Sequence, residues 1–267
     1  MTARRPRPLA IGILVAGMAA LLASCAAGQG RVSRAELARI DRVLENAPFK
    51  AQPSRIVATE AAFEQAAVAD GQWTAFRSFA APGALIHVEE GATDAAQWLE
   101  GRSDPVSSVR WDARAVWVSC DARLAVSRGR LRTPEGQVGT YVTVWQLQDD
   151  REYRWIYHTG ALDDPQPPAP PADETPSEDL IVVGALDSVQ GHVAACPSSG
   201  QPPIPPAPVP AYAQDTRTGA FVSPDGTLQV RWVHRPSGER SVVLHHWQDD
   251  GWVQGMDQPI PGAITGR

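Results

Sequence analysis

Five side chains in this sequence are candidates for proton transfer inside a folded protein: His87, Glu89, Tyr141, Tyr157 and His158. A general base needs hydrogen-bond reach to its substrate and a pKa set by its surroundings. His158 is the preferred base. Apolar walls would lower its pKa and leave it neutral, able to accept a proton. His158 and Tyr157 are neighbours on a predicted strand, so they point to opposite faces and cannot share a pocket unless a bulge intervenes. Tyr141, Thr143 and Trp145 alternate along another strand and share a face, which makes Tyr141 the candidate donor. His87, alternating with Val88, is the second histidine considered. The simpler role for each histidine is a sheet residue satisfied by backbone or water.

A ligand site has its own candidates. Trp73, Phe76 and Phe79 recur at spacing three, which puts three rings on one helix face. With Trp98, Trp111 and Trp145 they form a set able to line an apolar pocket, although each ring taken singly is better explained as core. His245-His246 invites a metal reading. Adjacent strand residues diverge, and no Cys, Asp or Glu stands at ligand spacing, so no metal is assigned. Glu89-Glu90 and Asp149-Asp150 read as solvated turn charges. No nucleophile-elbow serine and no glycine-rich phosphate loop is present, and no cofactor is expected.

The elements that must position these residues are legible in the periodicity. Ser33-Arg34-Ala35-Glu36 is a capping box opening a helix over 34–46, ended by Asn46 and Pro48. A second helix runs from Ser54, its expected cap, to about Asp70, with Phe63, Ala66 and Ala67 on the buried face. Gly71 breaks it, and a short helix with Trp73, Phe76 and Phe79 follows, stopped by Pro82-Gly83. Leu85–Val88 reads as a strand, and Asp94 caps a short helix with Trp98 and Leu99. From Val109 the period becomes two, predicting strands at 109–119, 122–132, 138–148 and 153–161. Helices first and an antiparallel meander after predict an α+β domain over 54–163. Residues 164–179 are a Pro-rich spacer, and 180–267 a small C-terminal β extension with a second spacer at 202–210. The extension carries three strand candidates, 227–234, 241–247 and 251–254. Alone these would be marginal, so they must pack on the main domain or be tied to it. No internal repeat is evident.

The chain opens with Arg4, Arg5 and Arg7, an apolar run from Leu9 to Ala23, and Leu22-Ala23-Ser24-Cys25. This is a secretory signal by pattern, with residues 1–24 removed. The run is shorter than the ~20 residues of a membrane span. The tetrad resembles the lipobox of bacterial lipoproteins, and that resemblance implies a lipid on Cys25, a membrane partner through it, and residence in the cell envelope facing the periplasm, at the outer membrane. Residues 25–53 are then tether and N-terminal helix. Removing the leader's three arginines takes the formal charge from −6 to −9. So acidic a chain does not match the clustered cations that nucleic acid requires. In an oxidising compartment the two remaining cysteines, Cys120 and Cys196, are more often a disulfide than a metal site; the alternative is two thiols too far apart to meet.

Residues 54–161 resemble the nuclear transport factor 2-like superfamily, which includes the SnoaL-like and ketosteroid-isomerase-like folds. The runs that carry the resemblance are Gly71-Gln72-Trp73-Thr74-Ala75-Phe76-Arg77, Trp98-Leu99-Glu100-Gly101-Arg102, Gly139-Thr140-Tyr141-Val142-Thr143-Val144-Trp145 and Tyr153-Arg154-Trp155-Ile156-Tyr157-His158. They cover about two-fifths of the chain, and they look closest to a bacterial branch of unknown function. The resemblance implies a cone-like curved antiparallel sheet wrapped round the N-terminal helices, with a pocket at one end. It also implies His158 near the end of the last family strand, where relatives often carry an acid, His87 near the cone mouth, and a homodimer through the exposed sheet face.

The function expected from these readings is non-catalytic: an anchored envelope lipoprotein that binds a small apolar ligand or a protein partner. One alternative is an isomerase, dehydratase or cyclase using His158 as general base with Tyr141 or His87. The other is a structural or assembly factor.

Overall fold

The structure is a computed structural model that describes residues 51–168, 188–198, 203 and 215–261. Cys25 and the leader, the 34–46 helix, residues 180–187 and most of both Pro-rich spacers lie outside the described residues. The chain is mixed α/β, with a large curved seven-stranded sheet and a few helices.

Helix α1 spans Pro53–Ala69, and Pro53 occupies its first turn. Ser54 therefore does not cap it. Gln52 is the cap residue, without a side-chain hydrogen bond, and the proline ring presets the helical φ where no N–H partner is needed. Ile56, Glu60, Phe63 and Ala67 form its buried stripe. Gly71, at φ +112°, turns the chain into α2, Gln72–Phe79. The start of α2 is capped from a distance: Asp104 Oδ1 accepts from the amides of Trp73 (2.5 Å) and Thr74 (3.0 Å), and Oδ2 from the Thr74 hydroxyl (2.6 Å).

Strand β1, Ala80–Val88, begins directly after α2 and runs through Pro82-Gly83. It pairs with β2, Gly91–Asp94. Asp94 caps the short α3, Ala95–Leu99, by accepting from the Gln97 amide at 2.9 Å. The meander follows as β3 (Arg110–Val118), β4 (Leu124–Arg132), β5 (Val138–Leu147) and β6 (Tyr153–Leu162). β7, Gln190–Val193, closes the far edge, in the order β2-β1-β6-β5-β4-β3-β7.

The expected wholly antiparallel sheet is corrected here. β1 runs parallel to β6, and β7 parallel to β3. Neither pair is joined by a hairpin, and only connections longer than a hairpin allow parallel neighbours.

The tail is a four-stranded sheet, not the expected three: β8 (Arg217–Val222), β9 (Leu228–His234), β10 (Arg240–Gln248) and β11 (Gly251–Ile260), in the order β11-β10-β9-β8. One core lies between the helices and the inner sheet face, built on Phe63, Phe76, Val116, Trp145 and Trp155. A second lies between the outer face and the small sheet, where Trp117, Val126, Val144 and Tyr157 meet Leu228, Val230, Trp232 and Leu244. The outer face is therefore covered by the chain's own tail. It does not stand exposed for the homodimer expected through it. Cys120 and Cys196 form a disulfide with Cα atoms 5.2 Å apart. Beside it, the amide of Ala194 bonds Val118 O (2.9 Å) and that of Ala195 bonds Trp247 O (2.8 Å), which ties both sheets to one segment.

Candidate functional site

A cavity of about 320 Å³ opens between α2, α3 and the inner face of the sheet. That is at the small end of the range for ligand sites. Trp73, Phe76, Trp98, Trp111, Tyr141 and His158 line it, together with Ile86, Val88, Leu131 and Leu162. Four of the six proposed pocket aromatics are therefore cavity walls. Phe79 and Trp145 are not among the lining residues. Phe79 packs on Phe63 at 5.0 Å between ring centres, and Trp145 is fully buried beneath the wall. The rings hold one another edge to face: Trp73 meets Trp98 at 5.3 Å and Phe76 at 5.5 Å, while Arg102 caps the far side of Trp98 at 3.6 Å.

His158 enters the cavity from β6. Its Nδ1 shares a hydrogen bond with the Thr143 hydroxyl across the β5–β6 ladder, 3.0 Å away. Phe76 stands edge-on to the imidazole at 5.0 Å. Burial pushes its pKa down to about 4, so the ring is neutral at physiological pH. Nε2 has no hydrogen-bond partner among the described residues. Thr143 can donate or accept, so Nε2 can present either a proton or a lone pair to an occupant.

Tyr141 stacks near His158, with ring centres 6.1 Å apart and planes 20° from parallel. Its hydroxyl does not face the imidazole. It lies against the Cα of Gly129, where an added Cβ would stand 2.6 Å from Oη, and it is buried with no partner in hydrogen-bond geometry. Burial and the neighbouring Glu60 carboxyl raise its pKa well above the usual phenol value. His87 borders the cavity, but both ring nitrogens are occupied on the outer side of the sheet: Nδ1 by the Tyr157 hydroxyl at 2.7 Å, Nε2 by His234 Nδ1 at 3.0 Å. The expected pairing of His158 with His87 is thus corrected: the pleat sends the two rings to opposite faces. Tyr157 follows His87 into the second core, as the alternation required. Glu89 and Glu90 occupy the β1–β2 turn.

The residue that sequence reasoning misses is Glu60. It is 2% exposed, inside the apolar stripe of α1. Its Oε2 accepts from Trp111 Nε1 (3.1 Å), and its Oε1 from Trp145 Nε1 (3.1 Å) and, more closely, from the Ser127 hydroxyl. Burial raises its pKa to about 7 against the pull of these donors. The available signal is its position: spacing of four, three and four through Ile56, Glu60, Phe63 and Ala67 puts a carboxylate in a core register. Glu60 does not line the cavity. It lies behind Trp111 and fixes that side of the wall. Among the described residues no group of three or more metal-ligating side chains converges.

No family model matches this chain, and no curated protein does. Among solved structures, it is similar to an NTF2-like protein of unknown function from Mesorhizobium loti. The two are 16% identical, the likeness covers 42% of this chain and 93% of that one, and the TM-score is 0.27. Likeness that low decides neither fold nor function.

Proposed function

We propose that this chain binds a small, mostly apolar molecule in the aromatic cavity, with the neutral imidazole of His158 as its polar anchor. The observation that carries this reading is the combination of a roughly 320 Å³ hollow walled by Trp73, Phe76, Trp98 and Trp111 with a half-buried imidazole whose Nε2 has no protein partner among the described residues. Binding is favoured over proton transfer because neither candidate donor faces His158: Tyr141 turns its hydroxyl to Gly129, and His87 is engaged on the outer face. A cone of the nuclear transport factor 2-like kind, closed round the helices, is the finer architecture we propose. Its support is the sequence runs of the two short helices and the last two strands of the meander. The same reading places the protein on a bacterial envelope membrane through a lipid on Cys25, supported by the leader and the Leu22–Cys25 tetrad.

Calorimetric titration with naphthol, a bicyclic phenol with an apolar body and one hydroxyl, tests the site. The full chain is expected to bind it, and His158→Phe to weaken binding by about tenfold, the value of one buried hydrogen bond. Equal affinity in both proteins, or none in either, removes the ligand reading. Chemical conversion of the probe would replace it with the enzymatic one. Mass spectrometry of membrane-extracted protein tests the anchor: a mature chain starting anywhere but at a modified Cys25 rules it out.

A further inference from the structure

The two sheets share more than a core. β3–β6 and β8–β11 are both four-stranded meanders with the same spatial order, and their first two turns match bond for bond. In the first turn of each, a serine amide bonds the carbonyl of the leucine that opens the next strand: Ser119 to Leu124 and Ser223 to Leu228, both 2.9 Å. In each, the serine hydroxyl donates to an aspartate two residues later, Ser119 to Asp121 (2.6 Å) and Ser223 to Asp225 (2.5 Å). In each, the following residue takes a left-handed conformation, Ala122 at φ 61° and Gly226 at φ 70°. The second turns agree as well: Gly136 at φ 87° and Gly238 at φ 84°, each closing on the residue three before it at 2.9 Å. Both third turns carry Gln-Asp-Asp, at 148–150 and 248–250.

One pair of contacts between the meanders is reciprocal. The amide of Asp121 donates to Asp225 Oδ2 at 2.7 Å, and the amide of Asp225 donates to Asp121 Oδ2 at 3.2 Å. These residues lie 104 positions apart. Matched apolar positions, Leu124 with Leu228 and Val126 with Val230, enter the same core. Residue i meeting j while j meets i is the mark of a two-fold, isologous interface.

We propose that β8–β11 is a second copy of the β3–β6 meander, docked where a partner subunit would sit, so that this chain supplies its own dimer partner. The match escapes sequence inspection because only turn chemistry and inward positions are retained; the rest of each strand has diverged. The second copy has no helical layer among the described residues. Its contribution to the aromatic cavity is support: Arg240 donates to His87 O at 2.6 Å and to the Thr159 hydroxyl at 3.2 Å, which braces β1 and β6 from behind.

The test is to cut the full chain at a protease site placed within residues 169–187, reduce the Cys120–Cys196 bond, and measure association of the two pieces by native mass spectrometry and analytical ultracentrifugation. The pieces are expected to stay together one to one at micromolar concentration. Asp121→Ala and Asp225→Ala are each expected to weaken association by at least about tenfold, and to similar degrees, because each removes one half of the same reciprocal charge-assisted contact. Asp121→Asn and Asp225→Asn, which keep an acceptor, should each recover most of that loss. Pieces that part on reduction overturn the proposal. So does a large loss confined to one aspartate, or asparagine variants as weak as the alanine ones.

Discussion

Replacing Glu60 with glutamine is the sharpest probe of the cavity wall. A carboxyl whose folded-state pKa is raised binds its proton more tightly in the native protein than in the unfolded chain. Its contribution is therefore intact at low pH, declines as pH rises from 4.5 to about 7, and is flat above that. A displacement from 4.5 to about 7 amounts to about 3 kcal/mol over the full range, of which about 2.5 kcal/mol falls between about pH 5 and about pH 8. The substituted amide does not titrate. Its carbonyl keeps the bonds from Ser127 and Trp145, but its NH₂ group opposes the Trp111 N–H, a mismatch costing about 1–3 kcal/mol at every pH. Urea unfolding of both proteins by circular dichroism should show Glu60→Gln less stable near about pH 5, with the gap closing by about 2.5 kcal/mol by about pH 8. His87 and His158 titrate alike in both proteins, so they cancel in the difference. Parallel stability curves across that range would refute a buried, proton-holding carboxyl at this position.

Gly129→Ala would drive a Cβ to 2.1 Å from Asp112 O and 2.6 Å from Tyr141 Oη; it should cost about 2–3 kcal/mol or more in urea unfolding, since one contact is backbone and cannot yield. Cys196→Ser opens a crosslink spanning 76 residues and should cost about 4 kcal/mol, seen as a lowered denaturation midpoint that reductant no longer shifts. Asp104→Ala leaves the amides of Trp73 and Thr74 uncapped and should lower the melting temperature and weaken naphthol binding, read by thermal melting and titration. His158 has a lowered folded pKa, so its stabilising effect is complete above 6.5 and lost as pH falls toward about 4; His158→Phe should flatten that part of the acid limb in a pH series of melts.

Periodicity makes the meander legible. Predicted strands at 109–119, 122–132, 138–148 and 153–161 compare with Arg110–Val118, Leu124–Arg132, Val138–Leu147 and Tyr153–Leu162. The alternation that places His158 and Tyr157 on opposite faces holds. What periodicity does not carry is the identity of a strand's neighbour. Nothing local tells β1 to pair with β6, or β7 with β3. β8 escapes because Arg217–Val222 has an exposed edge, a central glycine and little apolar alternation. The pleat of its own strand is all that the sequence offers for His87, without the tail that supplies His234 and Arg240 to hold it. Glu60 stands in a core register, yet a single carboxylate in a helix is ordinarily a solvated one. Only Trp111, Trp145 and Ser127, far along the chain, reveal it as buried.

Three of the nine tryptophans, Trp73, Trp98 and Trp111, stand around the hollow beside His158. Indole emission responds to the polarity and contacts of its immediate surroundings, and water filling that space differs from a hydrocarbon body filling it. The molecule thus contains its own optical gauge of whether the chamber is wet or occupied. No label has to be attached to ask which compounds enter it.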